Sequence, residues 1–294
     1  MYLLKGALTL AKLINQTLKS CKDTDKYIFI SDIHGNEETL KLIDQAREDF
    51  PNALLVTGGD YIDGRNNVKD VLDYLIRARD EGAIVLKGNH EQMLLNYAEH
   101  KEHQDGIWFY NSGADTLKQL FNEVVSPKVV QQSKYYKFLS ELPIMYETPQ
   151  FIFVHAGIHC DKNYDDPSNY ATELNIARHQ YTYDFFRIWA RQDYWYNHRD
   201  EPVFAHNLTN KTIITGHTPT SAISGQYDDG RSVNASILNP VRTIQYDGEA
   251  ARIFTDGGSH SDPKIYPHND GNVVVLNSDG TIEHTYNYEN TLKQ

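Results

Sequence analysis

The sequence predicts an α/β fold, and two observations carry that prediction. Short apolar runs alternate with helical segments through the first hundred residues, and each of those runs ends in a loop rich in Gly, Asp, Asn or His. Strands that alternate with helices pair in parallel through crossovers, so their carboxyl ends share one edge of a sheet.

Taken in chain order, MYLLKGALTLAKLINQTLKS places Leu4, Leu8, Ala11, Ile14 and Leu18 at helical spacing. It predicts an amphipathic helix within an N-terminal extension over residues 1–26. Lys12 interrupts the apolar stretch and no small-residue cleavage site follows, which disfavours a secretory leader. YIFIS (Tyr27–Ser31) predicts the first strand, with a helix from about Glu37 to Asp49 behind it. ALLVT (Ala53–Thr57) predicts the second, with a helix near Val68–Asp80. AIVLK (Ala83–Lys87) is the third, and a helix begins near His90. Helical patterning continues through SGADTLKQLF and KYYKFLSELP, and FIFVH (Phe151–His155) and TIITG (Thr212–Gly216) add two strands. ARIFT, NVVVLN and TIEHTY predict antiparallel strands that finish a sheet. The section from about 159 to 211 is polar and Tyr-rich and reads as an insertion or cap. Its aromatic residues line a substrate lid or, the commoner use of such a stripe, pack internally.

Composition narrows the function classes. The 294-residue chain has a net charge of −12 and no dense Lys/Arg cluster, which disfavours nucleic acid as a partner. Hydrophobic residues at 40% and charged residues at 23% describe a globular protein. No apolar run approaches the length of a membrane-spanning helix. Cys21 and Cys160 form no disulfide framework and show no ligand spacing, which fits a cytoplasmic location.

The strand ends carry the chemistry. The first delivers Asp32 and His34, the second Asp60 and Asp63, the third Asn89 and His90, the fourth His155 and the fifth His217. Singly, each has a plainer reading as a capped turn, a helix start or a satisfied core histidine. Together, at strand ends that converge on one crevice, they point to a metal site. Imidazoles, carboxylates and an amide oxygen suit Mn²⁺, Zn²⁺ or Fe better than Ca²⁺ or Mg²⁺. Asp60 is the candidate bridge between two ions, which in such centres lie roughly 3.5–4 Å apart.

In this order, SDIHG, GGDYIDGR, GNHE, VHAG and TGHTP resemble the five blocks of the calcineurin-like metallophosphoesterase superfamily. KGNHEQMLL, WFYNSGADTL, ELPIMYETPQFIFVHAGI, IWARQDYW and IITGHTPT are similar to segments of two branches: bacterial and phage-type Ser/Thr protein phosphatases, and symmetrical dinucleoside tetraphosphatases. The resemblance runs roughly from Tyr27 to Asn277 and is thin over 159–188 and 221–251. It implies a four-layer αββα fold, two packed mixed sheets flanked by helices, in one catalytic domain over residues 27–294.

The resemblance also implies roles. Asp32, His34 and Asp60 would hold a first divalent ion, and Asp60, Asn89, His155 and His217 a second, with Mn²⁺ foremost and Fe or Zn²⁺ as alternatives. A water between the two ions would lose a proton and attack phosphorus in line. His90 would be the general acid for the leaving oxygen, and Asp63 would fix its tautomer. Arg191, in IWARQ, and Asn89 would bind the phosphate. The family reads Asp-Arg-Gly after the bridging loop, whereas this chain reads Asp63-Gly64-Arg65, so Arg65 would approach the phosphate differently. His159, His179, His198 and His206 receive no role, and His260 and His268 are expected on the surface. The implied activity is phosphomonoester hydrolysis by a Ser/Thr protein phosphatase, with dinucleoside tetraphosphate hydrolysis as the alternative. A non-catalytic scaffold for phosphorylated partners is a third reading, opposed by the presence of both His90 and Asp63. The expected partner is a phosphorylated protein or small phosphoester, with neither nucleic acid nor membrane.

Overall fold

The computed structural model describes residues 11–14, 16–100, 104–170, 183–198, 201–262, 264–266 and 268–292. The chain enters as a hairpin where a helix is expected. β1 (Ala11–Ile14) and β2 (Thr17–Ser20) pair antiparallel, with Ala11 opposite Ser20 and Gln16 turning at φ 58°. β2 then pairs in parallel with β6 (Met145–Glu147), far away in sequence. Helical spacing of apolar residues is a local preference, and pairing with a distant strand overrides it here. The first ten residues of the expected helix lie outside the described residues.

The rhythm of the next hundred residues is as expected. β3 (Lys26–Ile30), β4 (Leu54–Thr57) and β5 (Ile84–Val85) are parallel neighbours. Between them run α1 (Glu37–Asp49) and α2 (Val68–Asp80), and α3 (Asn89–Ala98) follows β5. The Asn36 side chain caps α1 by accepting from the Glu38 N–H at 3.1 Å. Val68, Val71, Leu72, Leu75 and Ala78 give α2 one buried face at helical spacing. Further helices α4 (Gln104–Tyr110), α5 (Gly113–Phe121), α6 (Pro127–Gln131) and α7 (Lys134–Ser140) complete this side.

The second half supplies β7 (Phe151–Val154), α8 (Tyr183–Trp189), α9 (Gln192–Trp195), β8 (Tyr196–His198), β9 (Glu201–Phe204) and β10 (Thr212–Thr215). After them come β11 (Gly225–Gln226), β12 (Ser232–Val233), β13 (Arg242–Ile244), β14 (Arg252–Phe254), β15 (Val273–Asn277) and β16 (Ile282–Tyr286). Among the described residues one sheet has the order β16-β15-β3-β4-β5 and another β1-β2-β6-β7-β10-β14-β13, with a small third sheet β12-β11-β9-β8. The expected run of antiparallel finishing strands divides between the two large sheets. β15 and β16 join the first as an antiparallel hairpin beside β3. β14 is instead parallel to β10, because it extends the second sheet beyond β10, and β13 closes that edge antiparallel to β14.

Period-two alternation builds the layers. Tyr27 and Phe29 of β3 meet Phe151 and Phe153 of β7 between the two sheets, while Ile28 and Ile30 face the helices. Ile152 and Val154 point the other way, onto Phe186, Ile188, Tyr194 and Trp195. Helices thus cover both outer faces of two packed sheets, the four-layer arrangement the resemblance implies. Of the Tyr-rich insertion, 171–182 and 199–200 lie outside the described residues. The described Tyr170, Phe186, Tyr194, Trp195 and Tyr196 are buried, so packing is their use.

Candidate metal centre

The five ligand-bearing loops are locked together by their own backbones. The Asp32 N–H donates to the Gly59 carbonyl (2.9 Å), His34 N–H to Asp60 (3.0 Å) and Gly35 N–H to Tyr61 (2.8 Å). The β3–β4 ladder therefore continues past the strand ends as a ladder between loops. Across the second sheet, Gly216 N–H donates to the His155 carbonyl at 2.9 Å, and His217 N–H reaches the Asp32 carboxylate at 2.9 Å. Gly59 and Gly88 touch backbone to backbone: a Cβ on Gly59 would lie 2.5 Å from the Gly88 nitrogen. Asp32, His34, Asp60, Asp63 and His217 all have φ between 49° and 67°, the left-handed region that non-glycine residues rarely enter. Those turns swing the side chains off the strand axes and into the crevice.

Two buried clusters result, and Asp60 belongs to both. One combines Asp32, His34 and Asp60, and the other Asp60, His155 and His217. In the second, the His155 Nδ1–H donates to the Gly58 carbonyl at 2.8 Å, which turns Nε2 inward. That Nε2 lies 2.9 Å from Asn89 Oδ1, 3.1 Å from His217 Nδ1 and 3.2 Å from Asp60 Oδ2. In the first, His34 Nδ1 is 3.0 Å from the Ile62 carbonyl, so its Nε2 faces Asp60 Oδ2 at 3.8 Å. Lone pairs of these buried groups converge from several sides, and such a group needs positive charge to hold it. Burial depresses His34 and His217, keeping them neutral. Burial would depress His155 too, but the charge of and hydrogen bond to Asp60, with the charges of Asp32 and Glu91, together outweigh burial and raise it. The same proton-loving centre is what a divalent cation satisfies, and neutral imidazoles with carboxylates are suitable donors for one. The residues fit two cations sharing Asp60.

His90 stands beside these clusters, its Nε2 3.9 Å from Asp60 Oδ2. Its Nδ1 donates to Asp63 Oδ2 at 2.6 Å. Burial acts to lower the His90 pKa, yet the charge of Asp60 and the bond to Asp63 carry it up to about 9. Asp63 is itself pinned: Trp108 Nε1 donates to Oδ2 at 3.0 Å and Thr116 Oγ1 to Oδ1 at 2.5 Å. Trp108 and Thr116 come from α4 and α5, within the stretch WFYNSGADTL, and nothing in their spacing announces this task.

Sequence reasoning also missed Glu91. Its carboxylate accepts from the N–H groups of Asp60 (2.8 Å), Tyr61 (2.8 Å) and Gly88 (2.9 Å), tying the β4 and β5 loops together. Its place after Asn89 and His90 was the available signal. Glu91→Gln puts an amide N–H where one of these donors now points. We expect unfolding free energy to fall by about 1–3 kcal/mol in denaturant melts, the cost of a buried unpaired donor.

The two arginines differ. Arg191 is exposed and donates to the His217 carbonyl (3.2 Å) and Thr218 Oγ1 (2.9 Å), which fixes it at the mouth of the second cluster. Arg65 does not turn to the crevice. It donates to the carbonyls of Ser259 (3.2 Å), Asn269 (3.2 Å) and Tyr266 (3.5 Å), so its guanidinium is engaged by the loop after β14 and not presented to a phosphate. Gly64, where an arginine is expected, has φ 93°, and a Cβ there would lie 3.1 Å from His34 Cβ. His260, expected as an ordinary surface residue, is exposed but sits at the crevice, its ring 4.6 Å from His34 and 5.4 Å from His90.

Comparison with known proteins bears on the fold and the family. Shewanella-like protein phosphatase 1 of Plasmodium berghei (strain Anka) is 29% identical over 190 residues, 57% of this chain and 50% of that protein. The chain thus spans about half the length of that curated relative. A solved structure described as a diadenosine tetraphosphatase is similar in fold, with TM-score 0.51 and 16% identity over 92% of this chain and 97% of its own. A cold-active protein tyrosine phosphatase is similar too, with TM-score 0.53 and 18% identity over 92% of this chain and 81% of its own. Residues 26–262 match the calcineurin-like phosphoesterase family, and the chain belongs to it.

Proposed function

We propose that the protein is a two-metal phosphomonoesterase acting on phosphoserine and phosphothreonine in proteins. One observation carries this reading: an acid–base pair, His90 held by Asp63 at 2.6 Å, stands directly beside two clusters that share Asp60. Asp32, His34 and Asp60 would hold one divalent ion and Asp60, Asn89, His155 and His217 the other, with Mn²⁺ the first candidate. Such ions supply Lewis acidity toward phosphoryl oxygens and make a water nucleophilic at neutral pH. The protein's own groups do the rest. His90, protonated at neutral pH, delivers a proton to the leaving oxygen while Asp63 keeps its ring oriented. Arg191 offers a guanidinium fork to the phosphate's outer oxygens. The protein substrate is supported by the likeness to a protein phosphatase over 57% of the chain.

Arg191→Ala is expected to raise KM for a phosphopeptide by roughly tenfold or more, since a charged hydrogen bond is worth about 1.5–3 kcal/mol. Steady-state kinetics on the Mn²⁺-loaded protein checks this. The proposal itself is tested by offering that protein phosphoserine, phosphothreonine and phosphotyrosine peptides, an aryl phosphate and a dinucleoside tetraphosphate. Chelator-sensitive turnover greatest on phosphoserine or phosphothreonine peptides supports it. A large preference for the tetraphosphate or for phosphotyrosine rejects the substrate, and no metal-dependent turnover of any of them rejects the reaction.

A further inference from the structure

Gly64 and Arg65 leave one wall of the crevice without the cation a phosphate would meet, and another residue stands in that space. A Cβ built on Gly64 would lie in ordinary van der Waals contact with His260 Cδ2, at 3.5 Å, so the His260 ring borders the space beside residue 64. The ring reaches this position from a distant part of the chain, the loop after β14. There a turn closed by the Ser261 N–H donating to the Gly258 carbonyl (2.9 Å) presents residue 260 at its tip. The imidazole packs edge-on to His34 at 4.6 Å and tilted to His90 at 5.4 Å, and ring nitrogens of the three histidines lie within 4.8 Å of one another. His260 is the exposed member of the three, whereas His34 and His90 are buried. A side chain that is open to solvent yet directed at the acid of the reaction is placed to meet what enters.

Arg65 explains how that placement is kept. Its Nε donates to the carbonyl of Ser259, the residue next to His260, and its Nη2 to Asn269 and Tyr266 across the same loop. Arg65 and Gly64 are consecutive, so one short segment both clears the space and holds the loop that fills it. We infer that His260 is a substrate-binding residue, its imidazole N–H donating to a phosphoryl oxygen beside His90, and that Arg65 is its positioning residue. This rests on the phosphomonoesterase reading, and phosphate supplies the shared chemistry of substrate and product.

The test uses the Mn²⁺-loaded full chain and inorganic phosphate, titrated calorimetrically, with phosphopeptide kinetics and metal content measured in parallel. His260→Ala is expected to weaken phosphate binding and raise KM about tenfold, the loss of one hydrogen bond to a charged group, with metal content unchanged. Arg65→Ala is expected to weaken phosphate in the same direction, Arg65→Lys to restore part of it, and Arg65→Ala to add nothing once His260 is alanine. His260 lies at the surface, so its variant should keep the parent's melting midpoint. Parent-like phosphate affinity in His260→Ala overturns the contact, as does loss of metal, which would make His260 a ligand. An equal effect of Arg65→Ala with and without His260 overturns the positioning role. A parent that binds phosphate through His260 yet hydrolyses no phosphoester would sink the functional reading and leave this one standing.

Discussion

Asp60→Asn is expected to abolish phosphoester turnover and to empty both halves of the metal centre together. The side chain belongs to both buried clusters, and its charge is what raises His155 and His90. Asparagine keeps the volume and one acceptor oxygen for the His90 N–H, now 3.0 Å from Asp60 Oδ1, so the loop should still close. What vanishes is the negative charge that two cations would share. A loss of at least about 4 kcal/mol of transition-state stabilisation, roughly a thousandfold in kcat, follows from removing a shared metal carboxylate. Metal content after dialysis against Mn²⁺ provides the check. A variant that retains one ion per chain and measurable turnover would show that the clusters fill independently, against the shared-carboxylate arrangement.

His90→Asn is expected to cost roughly 10²–10⁴-fold in kcat on phosphoserine peptides, the usual worth of a positioned general acid. The loss should shrink on an aryl phosphate whose phenol departs without protonation. That contrast separates an acid from a residue that merely shapes the pocket, because a shape defect would slow both substrates alike. The pH profile gives a second reading. Without cations His90 is held up to about 9, by the charge of Asp60 and the bond to Asp63. Cations on Asp60 would offset the first, so the acid form is lost as pH rises through a value below that. Activity on the peptide should decline along that limb in the parent, and the limb should be missing in the variant. Asp63→Asn should move the limb to lower pH, since its hydrogen bond helps raise His90.

Much of this candidate site was legible because most of its candidate ligands sit shortly after an apolar strand. Asp32, Asp60 and Asn89 follow strands of one parallel run, and His155 and His217 follow β7 and β10 of the other sheet. Parallel pairing brought each set to one edge, and the packing of the two sheets joined the edges. The bond between His90 and Asp63 was equally readable once the β4 and β5 loops were known to be neighbours. The missed features depend on contacts between distant segments. Thr116 and Trp108 reach Asp63 from helices whose docking no local pattern reveals. His260 lies on a loop whose course is set by Arg65, nearly two hundred residues earlier. The N-terminal hairpin failed for a related reason: Leu4 to Leu18 satisfy a helical period, but β2 is decided by its partner, β6. Arg65 was assigned because the family reads Asp-Arg-Gly where this chain reads Asp63-Gly64-Arg65, and only its three carbonyl acceptors show where its donors go.

The left-handed backbone at Asp32, His34, Asp60, Asp63 and His217 has a consequence for how such a chain could change over time. Each such non-glycine residue costs on the order of 1–3 kcal/mol, tolerated only because the surrounding loops hold it. Glycine, or asparagine, adopts that geometry more readily. A descendant released from the proposed chemistry would therefore gain stability by acquiring these residues at the very positions that chemistry would use. Retirement of the site would leave a recognisable trace: glycine or asparagine at 32, 34, 60, 63 and 217, with the strands behind them intact.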